Sequence, residues 1–176
     1  AAVDSTGSLS QSMRDFDHEQ FGWSHALSKK LFTTFGHREF RQNQRAIINA
    51  TMEGHDVFVI MPTGGGKSLC YQLPAMCLPG ITIVVCPLVS LIQDQVDAME
   101  NQGVPAFQLS STQSIDEQRE VYDEMYSASA DEIPGLLVYV TPERLSASGK
   151  LQNCLSSLAR NRKLARFVID EAHCVS

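Results

Sequence analysis

Eight residues, Met61-Pro-Thr-Gly-Gly-Gly-Lys-Ser68, carry the sharpest chemistry in this chain. Three consecutive glycines let backbone N–H groups converge on one point, because no Cβ blocks an incoming anion or forbids positive φ. Lys67 would reach the β- and γ-phosphates of a nucleotide, and the Ser68 hydroxyl would ligate Mg²⁺. A helix opening after Lys67 would aim its positive end at the same anion. The general phosphate-loop pattern asks for a small first residue, and that position here is Met61. A glycine-rich turn with a chance lysine is the competing reading.

A second group follows far downstream. Phe167-Val-Ile-Asp170 is an apolar run ending in an acid, with Glu171, Ala172 and His173 directly after it. Combined with a phosphate loop, this is what a nucleotide hydrolase requires: Asp170 to hold Mg²⁺ through water, Glu171 to orient and deprotonate the attacking water. Taken alone, the same residues describe a strand that ends in a charged turn. His173 reads as a solvated turn residue, a general base, or a relay between phosphate state and another element. Glu171 already fills the base role, which favours the relay.

These groups need a scaffold, and the spacing of apolar residues supplies one. Runs at 57–61, 81–86, 106–109, 136–141 and 166–170 read as strands, with helical patterns at 67–76, 90–101, 114–127 and 151–161 between them. Near-continuous apolar strands alternating with helices predict a parallel sheet covered on both faces, an α/β fold whose ligands bind at the carboxyl ends of the strands. Both sharp motifs fall at such ends. Upstream, Ser24 is placed to cap a helix with Leu27, Leu31, Phe32 and Phe35 on one face, closed by Gly36. A second helix is expected over 39–52, with Phe40, Ile47, Ile48 and Thr51 inward and Gly54 as its stop. Arg41 and Gln44 are neighbours on its first turn and, by periodicity, ordinary surface residues.

The 176 residues and 43% apolar content suit one domain with a sizeable core. No apolar run approaches a membrane span, and residues 1–22 lack the features of a secretory signal and read as a flexible acidic tail. The net charge is −6, of which −3 lies in residues 1–20, where Asp4, Asp15, Asp17 and Glu19 face only Arg14. An acidic chain does not advertise a nucleic-acid binder, so any polyanion contact must be local. Five cysteines (Cys70, Cys77, Cys86, Cys154, Cys174) show neither C-x-x-C nor zinc spacing, which favours free thiols in a reducing compartment.

TGGGKSLCYQLPA (63–75), CPLVSLIQDQV (86–96), YVTPER (139–144) and VIDEAHCVS (168–176) stand in one order with FGHREFRQNQ (35–44). Together they resemble the first motor domain of a RecQ-family DNA helicase, a RecA-like P-loop NTPase of helicase superfamily 2, over residues 23–176. Met61 then ceases to be a defect, since this family commonly reads M-P-T-G-G-G-K-S. The resemblance implies ATP and Mg²⁺ as cofactors and a nucleotide site made of Arg41, Gln44, Met61, Pro62, Thr63, Gly64, Gly65, Gly66, Lys67 and Ser68. In it Arg41 and Gln44 belong to the adenine-recognising segment. A glutamine amide can pair with adenine N6 and N7. His37 stands where the family places a variable residue that stacks on the base. Lys67, Asp170, Glu171 and His173 form the implied catalytic set, with Ser68 and Asp170 on the metal.

Pro87, Ser90, Thr141, Pro142 and Arg144 match segments that touch single-stranded or forked DNA, where hydroxyls and helix N-terminal amides suit phosphates without net positive charge. Ordinary helix capping by Ser90 and Thr141 is the alternative and can coexist. The family further implies 3′-to-5′ unwinding in DNA repair and recombination, work in the nucleus, and a second RecA-like domain that brings an arginine finger. On that basis the 176 residues alone are expected not to unwind DNA and to hydrolyse ATP poorly. A non-catalytic nucleotide- or partner-binding module and an RNA helicase are the competing functions. A small-molecule kinase would use Lys67 but leaves the DEAH stretch unexplained.

Overall fold

In the computed structural model, which describes residues 11–62 and 64–172, Gly36 ends the first long helix as its position predicts. Its φ of +69° is left-handed, and the carbonyls of Leu31 and Phe32 are capped there. The chain forms two compact units, Ala1–Leu78 and Pro79–Ser176.

The first unit contains α1 (Gln11–Arg14), α2 (Ser24–Phe35), α3 (Gln44–Met52) and α4 (Leu69–Cys77). Leu27 and Leu31 of α2, Ile47 and Ile48 of α3, and Leu73 of α4 share one apolar core. Burying side chains of this size contributes about 1.5–3 kcal/mol each. Ser24 does not cap α2. It is the first helical residue, and its Oγ instead accepts the Phe21 N–H at 3.2 Å. Phe32, expected inward, is exposed. Helix α3 starts at Gln44 and not at 39 because Asn43 is left-handed, with φ +69°, and breaks the helical run.

The reading of residues 1–22 as a solvated tail is corrected for residues 13–22. Met13 is fully buried in the core of this unit. Buried Asn49 on α3 accepts the Trp23 Nε1–H at 3.0 Å and donates Nδ2 to the carbonyls of Phe16 (2.8 Å) and His18 (3.1 Å). The rings of Phe16, Phe21 and Trp23 stack in sequence. A polar composition concealed a few large anchors, and those anchors fold the segment onto α3.

The expected strand at 57–61 is also corrected. The segment is extended, but only Phe58 makes a bridge. Val57, Val59 and Met61 pack on the core, while Phe58 and Ile60 stand 62% and 53% exposed. The alternation has the period of a strand. What it lacks, among the described residues, is a neighbour to complete a ladder.

The second unit is a four-stranded parallel sheet in the order β2-β3-β1-β4, with β1 (Ile81–Val85), β2 (Ala106–Leu109), β3 (Leu136–Val140) and β4 (Leu164–Ile169). Helices α5 (Val89–Asn101), α6 (Ile115–Ser127), α7 (Pro142–Ala147) and α8 (Gly149–Arg160) connect the strands. Val121, Tyr122 and Met125 of α6 and Leu151, Cys154, Leu155 and Leu158 of α8 cover Ile83, Val85, Val138 and Val140 on one face. Helix α5 packs on β2 and β3. Its buried Ile92, Val96 and Met99 lie outside that cluster, as do the alternate strand residues Leu137 and Tyr139, so the opposite face is covered too. Edge strand β4 differs: Phe167 and Ile169 on one of its faces are about half exposed, at 50% and 53%. No helix among the described residues is long and apolar enough to cross a membrane.

Candidate functional site

The glycine loop has the backbone that its sequence demands. Gly64 and Gly66 hold φ of +77° and +87°, a region that L side chains rarely adopt. A Cβ at Gly65 would lie 2.9 Å from the Pro62 carbonyl, which already accepts the Gly65 N–H at 3.0 Å. The loop opens directly into α4. Lys67 and Ser68 are half-buried, and their carbonyls accept the Cys70 and Gln72 N–H groups of the first turn. Ser68 has helical dihedrals, and its hydroxyl makes no capping bond. Four amides at the start of a helix have no intrahelical partner, and they carry the positive end of the dipole. A glycine cradle, a lysine, an uncommitted cap hydroxyl and a helix N-terminus fit a triphosphate with its magnesium. Met61 is half-buried against the core and Pro62 is exposed.

Two residues read as surface groups from periodicity turn out to be part of this loop. Gln44 is only 2% exposed. Its Oε1 accepts the Arg41 N–H at 2.8 Å and its Nε2 donates to the Gly66 carbonyl at 3.1 Å. The Arg41 guanidinium donates to the Gly64 carbonyl at 2.7 Å. The structure thus brings Arg41 and Gln44 to the phosphate loop. A signal was present: Gln44 lies three and four positions before the inward Ile47 and Ile48, on their face of α3. Arg41 also lines a cavity of about 490 Å³ with Arg14, Asp17, Phe40, Gln42, Asn43 and Arg45. Arg45 of this lining pairs with Glu19 at 2.8 Å and lies over the Phe40 ring.

Just inside α4, Cys70 directs its Sγ to the Gly66 carbonyl at 3.8 Å, and burial pushes its thiol up to about 12. Cys77 is raised by burial as well, against a lowering effect of Lys30. Burial thus disfavours the thiolate at both positions.

In the second unit the residues expected to hold metal, water and DNA line up along one edge of the sheet. Val85, Val140 and Ile169 are in register, so Cys86, Thr141 and Asp170 follow at one level, with Ser110 beside them after Leu109. The Cys86 N–H donates to Val140 and the Asp170 N–H to Val85, each at 2.9 Å, which extends the ladder to this edge. Asp170 is half-buried, and its Oδ1 accepts the Glu171 N–H at 2.9 Å. Glu171 has φ +50°, uncommon for a residue with a Cβ, in the turn that follows the strand.

Thr141 caps α7 as expected, its Oγ1 accepting the Arg144 N–H at 3.2 Å, with Pro142 as the first helical residue. Ser90 caps nothing: Leu88 holds that position in α5, and Ser90 is exposed beside half-buried Pro87. Arg144 is half-buried, and its guanidinium donates to Gln118 Oε1 of α6, a partner that spacing gave no means to foresee. Thr63 and His173 lie outside the described residues.

The chain matches the family model described as DEAD/DEAH box helicase over residues 41–176. It is similar to ATP-dependent DNA helicase Q-like 4B of Arabidopsis thaliana, 47% identical over 99% of this chain and 15% of that protein. It is also similar to RecQ-like DNA helicase blm-1 of Caenorhabditis elegans, 46% identical over 97% of this chain and 17% of the relative. ATP-dependent DNA helicase Q1 of Rattus norvegicus is 38% identical over the full chain and 28% of its own length. The chain therefore spans well under a third of each of these curated relatives.

Proposed function

Because the chain belongs to the DEAD/DEAH box helicase family, and its relatives carry the names of RecQ-like and ATP-dependent DNA helicases, we propose that it is the ATP-binding half of a DNA-helicase motor. The observation that carries this reading is the loop at Gly64–Gly66, with its left-handed glycines, opening into α4 beside a Ser68 hydroxyl that caps nothing. Lys67 holds the β- and γ-phosphates, while Ser68 and, through water, Asp170 hold the metal. Bound Mg²⁺ neutralises charge on the phosphate oxygens. Glu171 accepts a proton from the attacking water, and His173 relays phosphate state to the DNA-facing elements.

The carboxyl edge of the sheet, with Pro87, Ser90, Thr141 and Pro142, follows the backbone of single-stranded or forked DNA. Hydroxyls and helix-start amides make these contacts without basic charge, which reconciles an acidic chain with a polyanionic ligand. Arg144 adds a contact while braced by Gln118. In the whole protein a second RecA-like domain completes the site with an arginine finger, the motor moves 3′ to 5′, and its work in DNA repair and recombination assigns it to the nucleus.

The test is nucleotide binding and DNA-stimulated ATP hydrolysis, measured on this chain and on the longer protein. Lys67→Ala is expected to abolish both in the longer protein and to remove ATP binding from the 176-residue chain. Unchanged binding and turnover in Lys67→Ala would refute the motor reading.

A further inference from the structure

We infer that Gln118 of α6 is a positioning residue of the DNA-facing edge: it fixes the Arg144 guanidinium for a phosphate by closing a ring of hydrogen bonds between the ends of β2 and β3. The inference deepens the reading of that edge given above and rests on it.

The ring starts from strand register. Leu109 ends β2 opposite Val140 of β3, so the two strands leave the sheet side by side, at Ser110 and Thr141. On the β3 side, Thr141 Oγ1 accepts the Arg144 N–H at 3.2 Å, and the Arg144 guanidinium donates through Nη2 to Gln118 Oε1. On the β2 side, the Ser110 N–H donates to Gln113 Oε1 at 3.0 Å, and Gln118 Nε2 donates to the Gln113 carbonyl at 3.0 Å. The two paths meet on one carboxamide. A glutamine suits that junction because its oxygen accepts and its nitrogen donates, so a guanidinium and a carbonyl are both satisfied in one orientation.

Gln118 stands on a fixed base. Its own N–H donates to the Ser114 carbonyl at 3.1 Å, and the reciprocal cap between Ser114 and Glu117 pins the first turn of α6. Ser110 is fully buried, and its hydroxyl shares a hydrogen bond with Thr112 Oγ1 at 2.8 Å. Arg144, by contrast, is a long side chain on a six-residue helix that buries none of its residues. Its Nε is buried without a partner among the described residues, so the Nη2 bond to Gln118 selects the rotamer. Freezing those torsions before a phosphate arrives lowers the entropy cost of binding. With one N–H engaged, the guanidinium keeps further donors for the anion. Both ends of the Gln118 amide are committed to protein, so its effect on DNA passes through Arg144.

The experiment measures binding of a fluorescein-labelled oligothymidylate to the longer protein by anisotropy across a series of salt concentrations. Arg144→Ala should weaken binding about tenfold, as for loss of one hydrogen bond from a charged group. It should also flatten the slope of log affinity against log salt by about 0.7, the value for one single-strand phosphate. Gln118→Met keeps the length and helix propensity but offers neither amide group, and should reproduce most of both changes although every cation is still present. Gln118→Ala should match it, and if one of the two fails to fold the other carries the test. The double variant of Arg144→Ala and Gln118→Met should bind no more weakly than Arg144→Ala alone, since both act through one contact. A purely structural Gln118 would lower the melting temperature and leave the affinity and salt slope of the folded variants at wild-type values, and that result overturns the inference. Losses that add in the double variant overturn it too. In both cases, with Arg144→Ala still losing DNA, the reading of the edge stands and only the inference falls. If Arg144→Ala binds like wild type with an unchanged slope, Arg144 is no part of the DNA surface, and the inference falls with that assignment.

Discussion

Cys70 sits one residue into α4, with its Sγ directed to the Gly66 carbonyl of the glycine loop, and its chemistry is set by burial. A thiol pushed up to about 12 carries almost no thiolate at neutral pH, so it is neither nucleophile nor redox sensor. Iodoacetamide at mildly alkaline pH should leave Cys70 unmodified in the folded chain and label it fully in urea, read by mass spectrometry of the α4 peptide. Labelling of the native chain at the rate of a free thiol would contradict its burial. The sign of the pH effect follows from the same shift. The folded value lies above the unfolded one, so the stabilisation is complete below the ordinary thiol range and is lost as pH rises toward 12. Cys77 and Cys154, both raised first by burial, act with the same sign. At Glu171 the prediction concerns turnover. Glu171→Gln in the longer protein should retain ATP affinity within about a factor of three while lowering hydrolysis at least a hundredfold, the usual range for losing a general base. A parallel loss of ATP affinity would make the residue structural.

Among the elements, α3 does two things with two polar residues on buried faces. Its first residue, Gln44, braces the glycine loop, and Asn49 fastens the segment from Phe16 to Trp23 through three hydrogen bonds. Asn49→Ala strands the Trp23 N–H and two carbonyls, and should destabilise the chain by about 3 kcal/mol in urea denaturation. Asn49→Asp should be no better, since a carboxylate cannot donate to either carbonyl. A change within the error of the wild-type midpoint would mean that the arm is not fastened there. At the start of α6, Ser114 and Glu117 form a reciprocal capping box. Ser114→Ala should cost about 1 kcal/mol. The Ser114 hydrogen bonds hold the Glu117 carboxyl below the usual range, so its contribution is present above the unfolded carboxylate value and lost as pH falls through the lower one.

At the scale of the whole molecule, apolar surface is left uncovered in each unit: Phe58 and Ile60 in the first, Phe167 and Ile169 on the edge strand of the second. Exposed, alternating apolar residues on extended backbone invite association. The 176-residue chain should therefore show concentration-dependent light scattering, and replacing Phe58 and Phe167 with serine should reduce it. Scattering that is independent of both substitutions would place the sticky surface elsewhere.

The sequence by itself determined the α/β alternation, the strand at 106–109, the Gly36 stop, the Thr141 cap and the left-handed backbone of the glycine loop. Each of these depends on residues adjacent in the chain or spaced by one helical or strand period, so local patterning contains it. Gln44 shows the limit of that information. Its helix face was readable from Ile47 and Ile48, but its partner Gly66 lies 22 residues away, and no period reaches that far. The folding of residues 13–22 onto α3, the Arg144–Gln118 contact and the lack of a ladder at 57–61 among the described residues belong to the same class. Hydrogen-bond partners and strand neighbours are matters of distance in space, and only the tertiary structure could decide them.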